Sequence, residues 1–117
     1  MDELYTLRKS AGHTLVVFRT PSLMNASEME RISADLTRLV SDDKPTLLVL
    51  DFGTVQYLSS QALSLVLTLN RMLSDARPRG GSLVLCGLGP QLTRLLSVTR
   101  LDRVLTIKPT RKEAISA

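Results

Sequence analysis

Apolar positions recur along the chain in two rhythms, short dense runs and three- to four-residue spacings, and together they predict a string of strands and helices. Leu4 to Arg8 and His13 to Thr20 are β-prone runs separated by Ser10-Ala11-Gly12, so two strands joined by a turn are expected, in a hairpin. Pro21 and Ser22 break the second run. A helix then opens at Asn25 or Ser27, because Glu28 and Glu30 follow them at capping-box distance. Met29, Ile32, Leu36, Leu39 and Val40 recur at helical spacing, with Glu28, Arg31, Asp35 and Arg38 on the other side. This helix should lie with one face on a sheet.

Asp42-Asp43-Lys44-Pro45 ends the helix, and the nearly unbroken apolar run Thr46 to Phe52 predicts a central strand covered on both faces. Asp51 is the exception in that run. It either hydrogen-bonds backbone at the strand exit or belongs to a site, and the structural role is the expected one. Ser60 to Ala76 is helical in pattern, with Leu63, Val66, Leu67, Asn70, Leu73 and Ala76 recurring at three- and four-residue spacings as its inner stripe and Pro78-Arg79-Gly80-Gly81 closing it. A buried strand, Ser82 to Cys86, follows. Strand, helix and strand in this order make a βαβ unit with parallel strands and a right-handed crossover. Gly87-Leu88-Gly89-Pro90 predicts a tight turn into a short helix through Leu92, Leu95 and Leu96. It lacks the third glycine of a dinucleotide fingerprint and the lysine of a P-loop. Val104 to Ile107 predicts a last strand, and Thr110 to Ala117 a last helical turn or two. The expected fold is α/β, a mixed sheet of four to five strands with α-helices packed on it.

A length of 117 residues suits one domain spanning 1–117, and 44% hydrophobic with 22% charged residues is ordinary for a globular chain. Met1-Asp2-Glu3 is acidic and no apolar leader core follows, so a cytoplasmic location is expected. The most apolar stretches, Thr46 to Phe52 and Ala62 to Leu69, fall short of the roughly 20 residues of a membrane-spanning helix. The net charge of +4 is unevenly placed. Residues 1–58 carry six Lys or Arg against eight acids, a balance of −2, and residues 59–117 carry nine against three, a balance of +6. A basic half can meet an anionic partner or simply be a solvated face. The aromatic residues are only Tyr5, Phe18, Phe52 and Tyr57, each in or beside a strand-like run, which disfavours nucleic acid bound by base stacking.

Little in the chain suggests catalysis. Cys86 ends an apolar run without a basic neighbour to activate it, so it is expected in the core. The single histidine, His13, falls at the predicted first turn, and no G-x-S-x-G elbow surrounds Ser59 or Ser60. One His and one Cys also leave metal binding without a ligand set. No enzyme, cofactor or metal site is expected. What remains is Ser59-Ser60 at the start of a long helix. A serine there can cap the helix, and a phosphate there would meet unpaired N–H groups and the positive end of the helix dipole.

The order of these features resembles the STAS domain family of bacterial anti-sigma factor antagonists, from about Thr46 to the C-terminus. That family shows an apolar strand ending in Asp, an aromatic-apolar approach to D-S-x-G, a helix, a Gly-rich turn, an apolar strand and a later L-D-R-V-type segment. The corresponding stretches here are LLVLDF, VQYL, SSQA, the helix to Ala76, RGG, SLVLCGL and LTRLLSVTRLDRVLTI. The resemblance places Ser60 on the family's phosphorylatable serine, with Ser59 in place of the preceding Asp, where it becomes a second acceptor, and Ala62 in place of the Gly. It implies a binding module that captures an anti-sigma factor Ser/Thr kinase, is phosphorylated by it at Ser60, and is reset by a Ser phosphatase. The implied docking surface is Tyr57, Leu58, Ser59, Ser60, Gln61 and the exposed face of the following helix. Two alternatives stand beside it: a non-switching STAS scaffold or accessory subunit in a stress-signalling assembly or lipid-transport complex, and a nucleic-acid-binding role for the basic half.

Overall fold

The computed structural model describes residues 4–75 and 80–116. Its main sheet has five strands: β1 (Tyr5–Lys9), β2 (Thr14–Phe18), β4 (Leu47–Asp51), β6 (Ser82–Cys86) and β7 (Thr106–Lys108), in the spatial order β1-β2-β4-β6-β7. A separate parallel pair is formed by β3 (Ser22–Leu23) and β5 (Tyr57–Leu58). The helices are α1 (Ala26–Asp43), α2 (Ser60–Asp75), α3 (Pro90–Val98) and α4 (Arg111–Ile115), with a 3₁₀ turn at Leu101–Arg103.

The expected hairpin is present: β1 and β2 are antiparallel, with Tyr5 opposite Phe18 and Lys9 opposite Thr14. Every other neighbouring pair in the main sheet is parallel. The predicted central strand is central, since all five residues of β4 are buried. Its side chains alternate between two apolar layers. Leu48 and Leu50 join Val16, Phe18, Leu83 and Leu85 beneath α1, α2 and α3, while Leu47 and Val49 join Leu15, Val84 and Cys86 beneath Ala114 of α4. A strand sandwiched in this way has no solvent face to mark with polar residues.

Local chemistry sets the element ends. Asn25 is the cap of α1, its side-chain oxygen accepting from the Glu28 N–H at 2.9 Å, so of the two candidate caps Asn25 performs the role. Pro90 takes the first position of α3 as expected, behind Gly89. Gly81 enters β6 where an added Cβ would stand 2.5 Å from the Pro45 carbonyl oxygen, so the backbones approach more closely than any other residue allows.

Several expectations are corrected. The stripe of α2 is Ala62, Leu65, Val66, Leu69 and Leu73, whereas Leu63, Leu67 and Asn70 are only half-buried. Leucines at 63, 65, 67 and 69 spread round the helix, so spacing alone does not fix its rotation. The last strand is Thr106–Lys108 rather than Val104 to Ile107: the 3₁₀ turn ends on Val104, which is 59% exposed, and Leu105 points into the core. The pair β3–β5 was not foreseen, because two-residue strands carry no periodicity. The predicted helix end at Ala76 and the closing Pro78-Arg79 lie outside the described residues, as do Met1-Asp2-Glu3 and Ala117. Among the described residues no helix is long and apolar enough to cross a membrane.

Candidate functional site

The parallel sheet delivers β4 at its C-terminal end to a loop, Phe52 to Gln56, that leads through β5 into α2. Backbone hydrogen bonds anchor this passage. The N–H groups of Gln56 and Tyr57 both donate to the Pro21 carbonyl, at 2.7 and 3.1 Å, and the Ser59 N–H donates to the Leu23 carbonyl at 3.1 Å. Residues 57–60 are therefore held against the strand that precedes α1.

The two serines have different roles. Ser59 is the cap of α2: its hydroxyl oxygen accepts from the Ala62 N–H at 3.1 Å and its carbonyl from the Leu63 N–H at 3.1 Å. Ser60 is the first helical residue and is exposed, and its hydroxyl makes no hydrogen bond among the described residues. The cap and the accessible hydroxyl are thus separate groups one residue apart. Ala62 is buried against the core.

Of the predicted docking residues, Tyr57, Ser60 and Gln61 are exposed, Tyr57 by 50%, while Leu58 and Ser59 are half-buried. Tyr57 and Leu58 line a depression of about 310 Å³ with Met24, Gln56, Gln91, Leu92 and Leu95. It continues through Gln56, Gln91 and Leu92 into a second, of about 460 Å³, lined also by Gly53, Val55, Gly89 and Pro90. The result is one trough between the β5 segment and α3. Met24 and the α3 wall were missed in the sequence. Met24 offers no signal beyond an apolar residue before a cap, and the Gly87-Leu88-Gly89-Pro90 segment pointed only to a turn.

The other candidates fall elsewhere. His13 sits at the β1–β2 turn, where its carbonyl accepts from the Ser10 N–H, at the end of the sheet opposite to Asp51 and the start of α2. The structure does not bring it to Ser60. Cys86 is fully buried, and burial followed by the nearby Asp51 charge pushes its thiol up to about 11, which keeps it protonated at neutral pH. Asp51 accepts from the Gly53 N–H at 2.8 Å, the backbone role expected at the strand exit. Among the described residues no group of three or more His, Cys, Asp and Glu could hold a metal ion.

Comparison with known proteins gives a consistent picture. The STAS domain matches residues 6–114. A protein of Bordetella bronchiseptica named as a candidate anti-sigma factor antagonist, BtrV, is 28% identical over 95 residues, covering 81% of this chain and 78% of its own. Among solved structures, a STAS domain protein from Planctomyces limnophilus superposes with a TM-score of 0.81 at 21% identity, covering 96% of this chain and 94% of its own. The Bacillus cell fate determinant SpoIIAA in its phosphorylated form superposes with a TM-score of 0.72 at 18% identity, covering 96% of each chain. These structures share the fold, and the domain match runs from the second residue of β1 through the capped serine segment to the fourth residue of α4: the chain belongs to the STAS domain family.

Proposed function

We propose that this chain is an anti-sigma factor antagonist, a binding module that captures an anti-sigma factor in the trough between β5 and α3 and is switched by phosphorylation of Ser60. The observation that carries the reading is the placement of an exposed, unbonded Ser60 hydroxyl at the first position of α2, two residues after Leu58 of the trough wall, with Ser59 already supplying the cap. A phosphate on Ser60 would meet first-turn N–H groups and the positive end of the helix dipole, so the helix tolerates it. It would also place about −1.5 to −2 charges at the rim of an apolar surface, which a partner packed there must desolvate.

In this reading the partner is an anti-sigma factor that is also the Ser/Thr kinase, and a Ser phosphatase restores binding. Catalysis and ATP belong to the kinase, and the chain itself is a cytoplasmic substrate and ligand without cofactor. The relatives support it by name: BtrV as a candidate antagonist, and SpoIIAA as an anti-sigma factor antagonist solved in unphosphorylated and phosphorylated forms. One feature favours a second reading, a non-switching scaffold: Ser59 stands where the family motif has a carboxylate beside the acceptor. A nucleic-acid role gains nothing from the trough, whose lining carries no charged side chain.

The test is to incubate the purified chain with Mg-ATP and each anti-sigma factor kinase of its own genome, then map phosphopeptides for wild type, Ser59→Ala and Ser60→Ala. The expected result is a stable complex with one kinase, modification at Ser60 alone, and release of the modified chain. A kinase that binds without ever modifying Ser60 establishes the scaffold instead. Absence of binding to every such kinase overturns the antagonist reading.

A further inference from the structure

We propose that Asp51 and Arg111 are positioning residues for the trough, a strut from α4 on one face of the sheet to the two loops that carry the trough walls. The inference rests on the antagonist reading for its functional consequence, and on geometry alone for its mechanical one. Asp51 is 8% exposed at the C-terminal end of the central strand, and a carboxylate so buried requires full pairing. Its Oδ1 accepts from the Gly53 N–H at 2.8 Å. Its Oδ2 accepts from both Nε and Nη2 of Arg111, at 3.0 and 2.8 Å.

The β6–α3 loop presses on the same carboxylate. Gly87 adopts a φ of +72°, and a Cβ there would stand 2.7 Å from Asp51 Oδ1 and 3.0 Å from the Gly53 nitrogen. The Gly87 N–H donates in turn to the carbonyl of Pro109, just before α4, at 3.3 Å. Three chain segments therefore converge on one carboxylate. The first, starting at Gly53, supplies Val55 and Gln56 to one wall of the trough, and the second, starting at Gly87, supplies Gly89 to Leu92 to the other. The third is α4, which holds the countercharge.

Arg111 is itself about half-exposed and borders an open depression with Thr110, Lys112, Ile115 and Ser116. Solvent reaches the Arg111 end of the pair but scarcely the Asp51 end. Removal of Arg111 leaves a buried carboxylate with a single partner, and the strain of rehydrating Asp51 falls on the two loops that contact it. The core layers are built from apolar side chains, and neither Asp51 nor Arg111 belongs to them.

The experiment compares amide hydrogen exchange of the full chain in wild type, Arg111→Ala and Arg111→Lys, together with affinity for the anti-sigma factor kinase that binds wild type. Arg111→Ala is expected to raise exchange of amides 53–59 and 87–91 by about tenfold or more while Leu48 to Leu50, Val84 and Leu85 keep their protection. Affinity should fall by a similar factor, and Arg111→Lys, which keeps the charge and loses the fork, should restore part of both. A uniform rise across the core strands, or unchanged exchange in both loops, overturns the strut. If no kinase binds wild type, the antagonist reading falls and the exchange pattern still decides the strut.

Discussion

Ser59 and Ser60 are chemically identical and adjacent, yet the fold separates their duties. The Ser59 oxygen accepts from the Ala62 N–H, so a phosphate placed on it would remove the cap it supplies, whereas Ser60 projects from the first turn with nothing to lose. Stability should register the difference without any partner present. Ser59→Ala is expected to lower the unfolding free energy by about 1 kcal/mol, within the usual 0.5–2 range for a lost cap. Ser60→Ala should change it by no more than about 0.5 kcal/mol, as for an uninvolved surface side chain. Urea titrations of the two variants measure this directly, and equal losses would mean that the two hydroxyls share the cap. The sequence held the pair and its place at a helix start, but which serine caps depends on the backbone direction imposed by β5, and that comes from the Leu23 carbonyl far upstream.

At the level of elements, legibility followed contrast. The inner face of α1 was readable because charged residues mark the opposite side: Met29, Ile32, Leu36 and Val40 are buried as expected, and Leu39 packs at the margin. The helix α2 lacks that contrast. Its outer positions are Gln61, Ser64, Thr68 and Arg71, but leucines also occupy the flanks, and the rotation is fixed by packing on α1 and the sheet rather than by pattern. The corrected stripe has a measurable consequence. Leu69 is fully buried, so Leu69→Ala should cost about 2–5 kcal/mol, the range for a truncated core leucine. Leu67, only half-buried, should cost roughly half as much or less on truncation, in proportion to the apolar area it removes from water. Chemical denaturation of the two variants separates the stripes, and a Leu67→Ala cost equal to that of Leu69→Ala would restore the one drawn from spacing. The trough escaped sequence reading for a related reason. Its walls come from two βα loops that neighbour each other only because β4 and β6 pair in parallel, with Asp51 opposite Cys86.

Across the whole molecule, each face of the sheet carries one group held in its protonated form, half-buried Tyr5 on one side and fully buried Cys86 on the other, and this shapes how the fold responds to alkali. On the α1 side the Tyr5 hydroxyl donates to Asp35 at 3.0 Å; burial, then that bond and the Asp35 charge, push the phenol up from 10.0 to about 12, against a smaller lowering by Arg31. On the α4 side burial, then the Asp51 charge, push the Cys86 thiol up from 9.0 to about 11, with Arg111 opposing. Both folded values lie above the unfolded ones, so between them the unfolded chain holds fewer protons than the folded one and stability falls as pH rises. The contribution of Cys86 is complete below pH 9 and lost as pH passes about 11, and that of Tyr5 is complete below pH 10 and lost as pH passes about 12. Urea midpoints should therefore hold level to pH 9 and then decline, first through the thiol and then through the phenol as well. A Tyr5→Phe, Cys86→Ala double variant is expected to start from lower stability at neutral pH and to decline less between pH 9 and 11. Slopes that match in wild type and double variant would assign the alkaline loss to groups other than these two. The Arg111→Ala variant adds a further check, since removing the opposing charge should carry the Cys86 share of the decline to higher pH while leaving the Tyr5 share in place.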